Sequence, residues 1–189
     1  MPSGKRPGKF LTIEGQIRAC SCGLHFCRED QLLEWIGPVV WEFEPRGEIV
    51  DAGNKLVCAK GRLVRRCEGW NETTARLFAI DCATRALNRE KKSGRTPDPR
   101  SYEALKVARK FAKGEATYDE LSAAESAARL AAESAAWLAA WLAARSAAES
   151  AARLAAWLAA RSAAESAAES AEVKWQRKRL MEYVEGRRS

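Results

Sequence analysis

Four side chains suited to metal binding or nucleophilic chemistry fall in one short run: Cys20, Cys22, His25 and Cys27. Thiolate and imidazole are good zinc ligands, but a structural zinc site draws its ligand pairs from separate knuckles. Four ligands in one loop fit a tetrahedron poorly, so no cofactor is expected, and zinc on these four residues is the alternative. The same cluster could supply a general base, His25, and a nucleophile, Cys27 or Cys20. His25 is the only histidine in the chain, and no glycine-rich phosphate loop accompanies it. A non-enzyme is therefore expected, with a Cys/His-dependent enzyme as an alternative. A simpler reading explains the same residues: Gly23 makes a tight turn, and His25 and Cys27 face a small core.

The second chemical group is basic. Arg62, Arg65 and Arg66 cluster on a strand, and Lys174, Arg177 and Lys178 sit in a tail whose charge is mostly positive. Together they are the candidate anion-binding residues and the basis of a nucleic-acid-binding alternative. The formal net charge of +7 sits at both ends of the chain rather than along its middle. No run of 18 uncharged apolar residues occurs, which excludes an ordinary membrane-spanning helix. The N-terminus lacks the apolar segment of a secretory signal, so the six cysteines are expected to be reduced thiols.

These groups must be positioned by elements that the periodicity predicts. Alternation at 9–17, 39–44, 47–50, 56–59 and 62–66 predicts short strands, and Glu29–Ile36 a short helix. From Asn71 the pattern becomes helical: one helix over about 73–88, a second opened by Asp98 as N-cap with Pro99 behind it, and a third opened by a Thr117…Glu120 capping box. From Ser122 to Ala171 twelve Ala-Ala pairs recur every four residues. No glycine or proline follows until Gly186, so one helix of about 100 Å is expected at 1.5 Å per residue.

Four residues turn a helix by about 400°, so equivalent side chains advance about 40° per repeat. Trp137, Leu138, Trp141 and Leu142 form one apolar group, and Leu154, Trp157 and Leu158 a second about 160° further round. These seven are the candidate partner-binding residues, and homo-oligomerisation through the long helix is expected. The fold class is α+β: a small mixed β-sheet with a short helix, then an all-helical half ending in one very long Ala-rich helix. The divisions are a small α+β domain at 1–70, a two-helix connector packed on it at 71–116, and the alanine-repeat helix with its basic amphipathic end at 117–186.

Two stretches resemble known families. Lys9 to Cys67, through Cys20-Ser21-Cys22-Gly23-Leu24-His25-Phe26-Cys27, Trp41 to Glu48 and Lys55 to Lys60, resembles an uncharacterised phage and prophage domain with a Cys-x-x-Gly-Phe-His-x-Cys element; Leu24 stands where that element has Phe. From Leu77 onward, Phe78 to Ala83, Pro97 to Ala104, Ala112 to Thr117, the alanine repeat and Trp175-Gln176 are similar to phage-associated chains called immunity proteins. Neither family has a settled activity. The resemblance implies a phage context, and with the Trp and Leu groups of the long helix it leads to the expectation of a phage accessory protein in the cytoplasm of an infected host cell that acts through protein contacts, with a host or defence component as partner and inhibition of a host defence system as its effect; no membrane partner is expected.

Overall fold

A computed structural model describes residues 7–94, 96–130 and 168–188. The fold is α+β, and the chain divides into two units, Met1–Glu68 and Gly69–Ser189. The first unit contains β1 (Leu11–Thr12), β2 (Leu24–Phe26), a 3-10 turn (Glu29–Gln31), α1 (Leu32–Trp35), β3 (Trp41–Asp51) and β4 (Leu56–Arg66). β4 is the central strand. β3 runs along one of its edges, while β2 and β1 follow one another along the other. Every described pairing is antiparallel, so the mixed sheet expected from the sequence is not found. A connection as short as the one between β3 and β4 permits only antiparallel neighbours.

That turn is closed locally: the Asp51 carboxylate accepts from the Gly53 amide at 2.8 Å, and Gly53 takes a φ of 83°. Both hairpin strands are longer than the sequence pattern indicated. Gly47, at φ 81°, does not end β3 but forms a bulge between Arg46 and Ile49. Gly61 does not interrupt β4, because it lies beneath the Phe43 ring; a Cβ there would come within 2.1 Å of Cζ. Phe43 in turn meets Phe26 with ring centroids 5.0 Å apart. The buried apolar side chains of this unit are Ile36, Leu56, Val57 and Cys58.

The second unit contains α2 (Glu72–Lys92), α3 (Pro99–Ala112), α4 (Tyr118–Leu130) and α5 (Ala168–Val184). Each described start has a local cause. Asn71 caps α2 by accepting from the Thr74 amide, and Asp98 caps α3 by accepting from the Arg100 amide, with Pro99 first in the helix. Thr117 and Glu120 exchange the capping-box bonds that open α4. α2 packs on α3 and on α5, and α3 on α4. Leu77, Phe78, Ile80, Leu87, Leu105, Leu121, Leu180 and Tyr183 form the core. No described helix is long and apolar enough to cross a membrane.

The placement of α4 and α5 bears on the very long helix expected at 117–186. Arg109, Asp81 and Tyr183 are linked by hydrogen bonds of 2.7 and 3.0 Å. The nine residues from Arg109 to Tyr118 can span at most about 32 Å, so Tyr118 and Tyr183 lie within about 55 Å of each other once the side chains are added. A straight helix would separate them by about 98 Å. The described ends do not fit a single straight rod; residues 131–167 themselves lie outside the described residues.

The chain exit is held against the entry of this unit. Gly186 reverses the backbone after α5 at φ 70°, and a Cβ on Gly69 would lie 2.4 Å from the Gly186 nitrogen and the Tyr183 oxygen. These are backbone atoms and cannot swing aside. Gly69→Ala is expected to lower stability by about 1–3 kcal/mol through overpacking. Gly94→Ala, at a φ of 85° but in open space, should cost only about 1–2 kcal/mol of local strain. Equilibrium urea unfolding of the two variants checks the ranking.

Candidate functional site

The Cys/His run folds as a small loop ahead of β2. Arg18 and Cys22 close it with reciprocal backbone hydrogen bonds of 2.9 Å, and Cys20 at its tip takes a positive φ of 68°, unusual for a residue with a side chain. The four candidate ligands do not converge. His25 uses Nε2 to accept the Cys20 backbone N–H at 2.9 Å, and the Cys20 thiol lies 2.8 Å from the Lys55 ammonium. The Cys22 thiol points to the Glu14 carbonyl at 3.9 Å. Cys27 is half-buried, and that burial, aided by Asp30, raises its pKa. Among the described residues no group of three or more His, Cys, Asp or Glu side chains is placed to hold a metal ion. The physical reason is the tip geometry, which turns Cys20 toward Lys55 and commits the imidazole to the loop's own backbone. Nor do His25 and the Cys20 thiol form a hydrogen-bonded base and nucleophile in this arrangement.

The basic candidates are also dispersed. Arg62 pairs with Glu44 at 2.6 Å, Arg65 forks onto Glu42, and Arg66 lies 3.7 Å from Glu68. Cross-strand acids thus already occupy Arg62 and Arg65. A register shift between Glu42 and Phe43 brings Arg62 and Arg65 to the same face of the hairpin, opposite Glu44 and Glu42. Arg62 also joins Arg46 over the Phe10 ring, at 4.5 and 4.0 Å from its centroid. In the other unit Lys174 and Lys178 are exposed, while Arg177 is half-buried with its Nε lacking a hydrogen-bond partner among the described residues. Trp137, Leu138, Trp141, Leu142, Leu154, Trp157 and Leu158 lie outside the described residues.

The strongest electrostatic centre was not among the sequence candidates. Asp81 of α2, only 8% exposed, accepts from Arg109 of α3 at 2.7 Å and from Arg179 and Tyr183 of α5 at 3.0 Å each, and pairs with Arg188 of the tail at 3.2 Å. Glu172 of α5, with 6% of its side chain exposed, answers in the opposite direction: Arg85 and Arg89 of α2 reach it at 2.7 and 3.2 Å, and Gln176 at 3.3 Å. The Trp175 ring lies between Arg85 and Arg179, whose guanidinium carbons stand 4.5 and 5.0 Å from its centroid. A buried carboxylate is tolerable only when its oxygens are satisfied, and both acids meet that condition. Burial raises the Tyr183 pKa, and the charge of Asp81 adds to the effect. Burial raises the Cys82 thiol far more strongly, with further contributions from Glu172 and Asp81. The signal was present in the sequence: Asp81 is a charge in the middle of the apolar run Leu77 to Ala83.

Removing the shared acid should matter more than removing one of its partners. Asp81→Ala is expected to destabilise the second unit by about 3 kcal/mol or more, because it strands Arg179 in a mostly buried site. Arg188→Gln, on a side chain 42% exposed, should cost less than about 1 kcal/mol. Urea denaturation separates the two. In the folded protein, iodoacetamide followed by mass mapping should label exposed Cys20 first and buried Cys58 and Cys82 last, with rates differing by about tenfold or more. No family model matches the chain, and no curated protein or solved structure matches it either.

Proposed function

We propose that this chain is a non-catalytic accessory protein that works by contacts with another protein, and that in the phage setting implied by its sequence the partner is a host or defence component. The observation that supports this reading is the apolar surface of the first unit. Four apolar side chains there are buried, whereas Leu11, Ile13, Trp35, Val39 and Ile49 are between 36% and 62% exposed. Leu11 lies in the edge strand β1, whose only strand partner among the described residues is β4, and Ile13 just beyond it extends the pairing through its N–H to the Ala59 carbonyl at 2.7 Å. An edge of this kind accepts an extended segment from a partner, with backbone hydrogen bonds supplying affinity and alternate side chains supplying selectivity. The pairing of the strand arginines with acids favours protein contacts over phosphate contacts on this unit. Self-association through the Trp and Leu groups of the repeat belongs to the same reading, and light scattering of the purified protein tests it.

Affinity capture from host cells with the full chain should retain one partner at near-stoichiometric amount. A Leu11→Ser variant should retain about tenfold less while melting close to the parent, since that side chain is 62% exposed. Undiminished capture by the variant removes the edge from the proposal, and absence of any stoichiometric partner removes the proposal itself.

A further inference from the structure

Among the described residues, the hub in the second unit pairs more arginines than acids. Asp81, Arg85 and Arg89 lie at i, i+4 and i+8 on α2, and so form one stripe along the seam with α5. Arg109 and Arg188 join this line at the Asp81 end. Five guanidiniums, those of Arg85, Arg89, Arg109, Arg179 and Arg188, are paired with three carboxylates, Asp81, Glu172 and Glu182. Over the described pairs, arginines outnumber acids at each end of the seam. Four of the arginines keep 34–42% of their side chains open to solvent, so donors remain on the outer side. The two ends are eight residues apart on α2, about 12 Å, too far for one small anion to bridge.

We infer that the α2–α5 seam is a binding track for the phosphate backbone of nucleic acid. The buried carboxylates hold each guanidinium in place before any ligand arrives, so binding forfeits little side-chain freedom. The planar fork suits phosphate oxygens. A nucleic-acid backbone carries a charge at every nucleotide and can meet both ends of the row whatever its sequence, whereas an acidic peptide does so only with a particular spacing of acids. The track uses residues on the inner face of α5, not Lys174 and Lys178 on its outer face.

The sharing of acids makes the track testable without unfolding it. Arg89→Gln leaves Glu172 with Arg85, and Arg188→Gln leaves Asp81 with Arg109 and Arg179. Fluorescence anisotropy of the full chain with a labelled oligonucleotide, single- or double-stranded, should show binding that falls steeply with salt. The Arg89→Gln, Arg188→Gln double variant should bind about tenfold more weakly, with a melting curve close to the parent's. A Lys174→Gln, Lys178→Gln control, which removes the same charge, should lose about threefold or less. Three results overturn the inference: no oligonucleotide binding at about 50 mM salt, equal losses in the two double variants, or displacement of the oligonucleotide by polyglutamate at equal charge concentration. The last would assign the track to an acidic protein. None of these outcomes touches the edge of β1, so this inference and the protein-contact proposal stand or fall separately.

Discussion

Two carboxylates that the fold takes out of water, Asp81 and Glu172, are the constraint on which the helical unit depends. They sit on facing helices: Glu172 of α5 is satisfied by Arg85 and Arg89 of α2, and Asp81 of α2 by Arg179 and Tyr183 of α5 together with Arg109 of α3 and Arg188. Displacing α5 by one turn along α2 would leave both acids facing the wrong residues. A carboxylate buried without donors is penalised far more than an exposed pair is rewarded, so the alternatives are excluded more strongly than the native pairing is favoured. The apolar contacts of Phe78 with Trp70 and Tyr183 then pack in whatever alignment the charges allow.

The first unit reaches its order by other means. Its core is small, and β4 carries the organisation by pairing on both edges along most of its length. Glu42 and Glu44 each bind an arginine across the hairpin, so the charges that looked like a surface for anions act as cross-strand fasteners. Where the backbone is least regular, at the loop tip around Cys20, the polar groups are spent on one another: an imidazole on a backbone amide and an ammonium on a thiol.

The sequence was most legible where the physics is local. Asp98 before Pro99, and Thr117 three residues ahead of Glu120, announce helix starts because a cap involves only its own few residues. Gly47 and Gly61 misled for the opposite reason. Both read as strand breaks in isolation, yet one is a bulge and the other a space for the Phe43 ring, and both facts belong to the partner strand. The residue types crowded at 20–27 show which groups could act there, but not that His25 turns to the Cys20 amide and the Cys20 thiol to Lys55. The charge network escaped because its members are far apart in the chain: Asp81 and Tyr183 are neighbours only once the helices have packed.

The alanine repeat gives the reciprocal acids a further role. A sequence built from four-residue units looks nearly the same after sliding by four, so it carries almost no address of its own. Most helical segments find their place through an irregular pattern of large and small side chains. Here the chain leaves α4 through a nearly self-similar tract, and the first strongly distinguishing feature on the far side is Glu172, followed by Trp175, Gln176 and Arg179. Those residues act as a key cut at the end of a blank shaft, and Asp81, Arg85 and Arg89 are the wards it must meet.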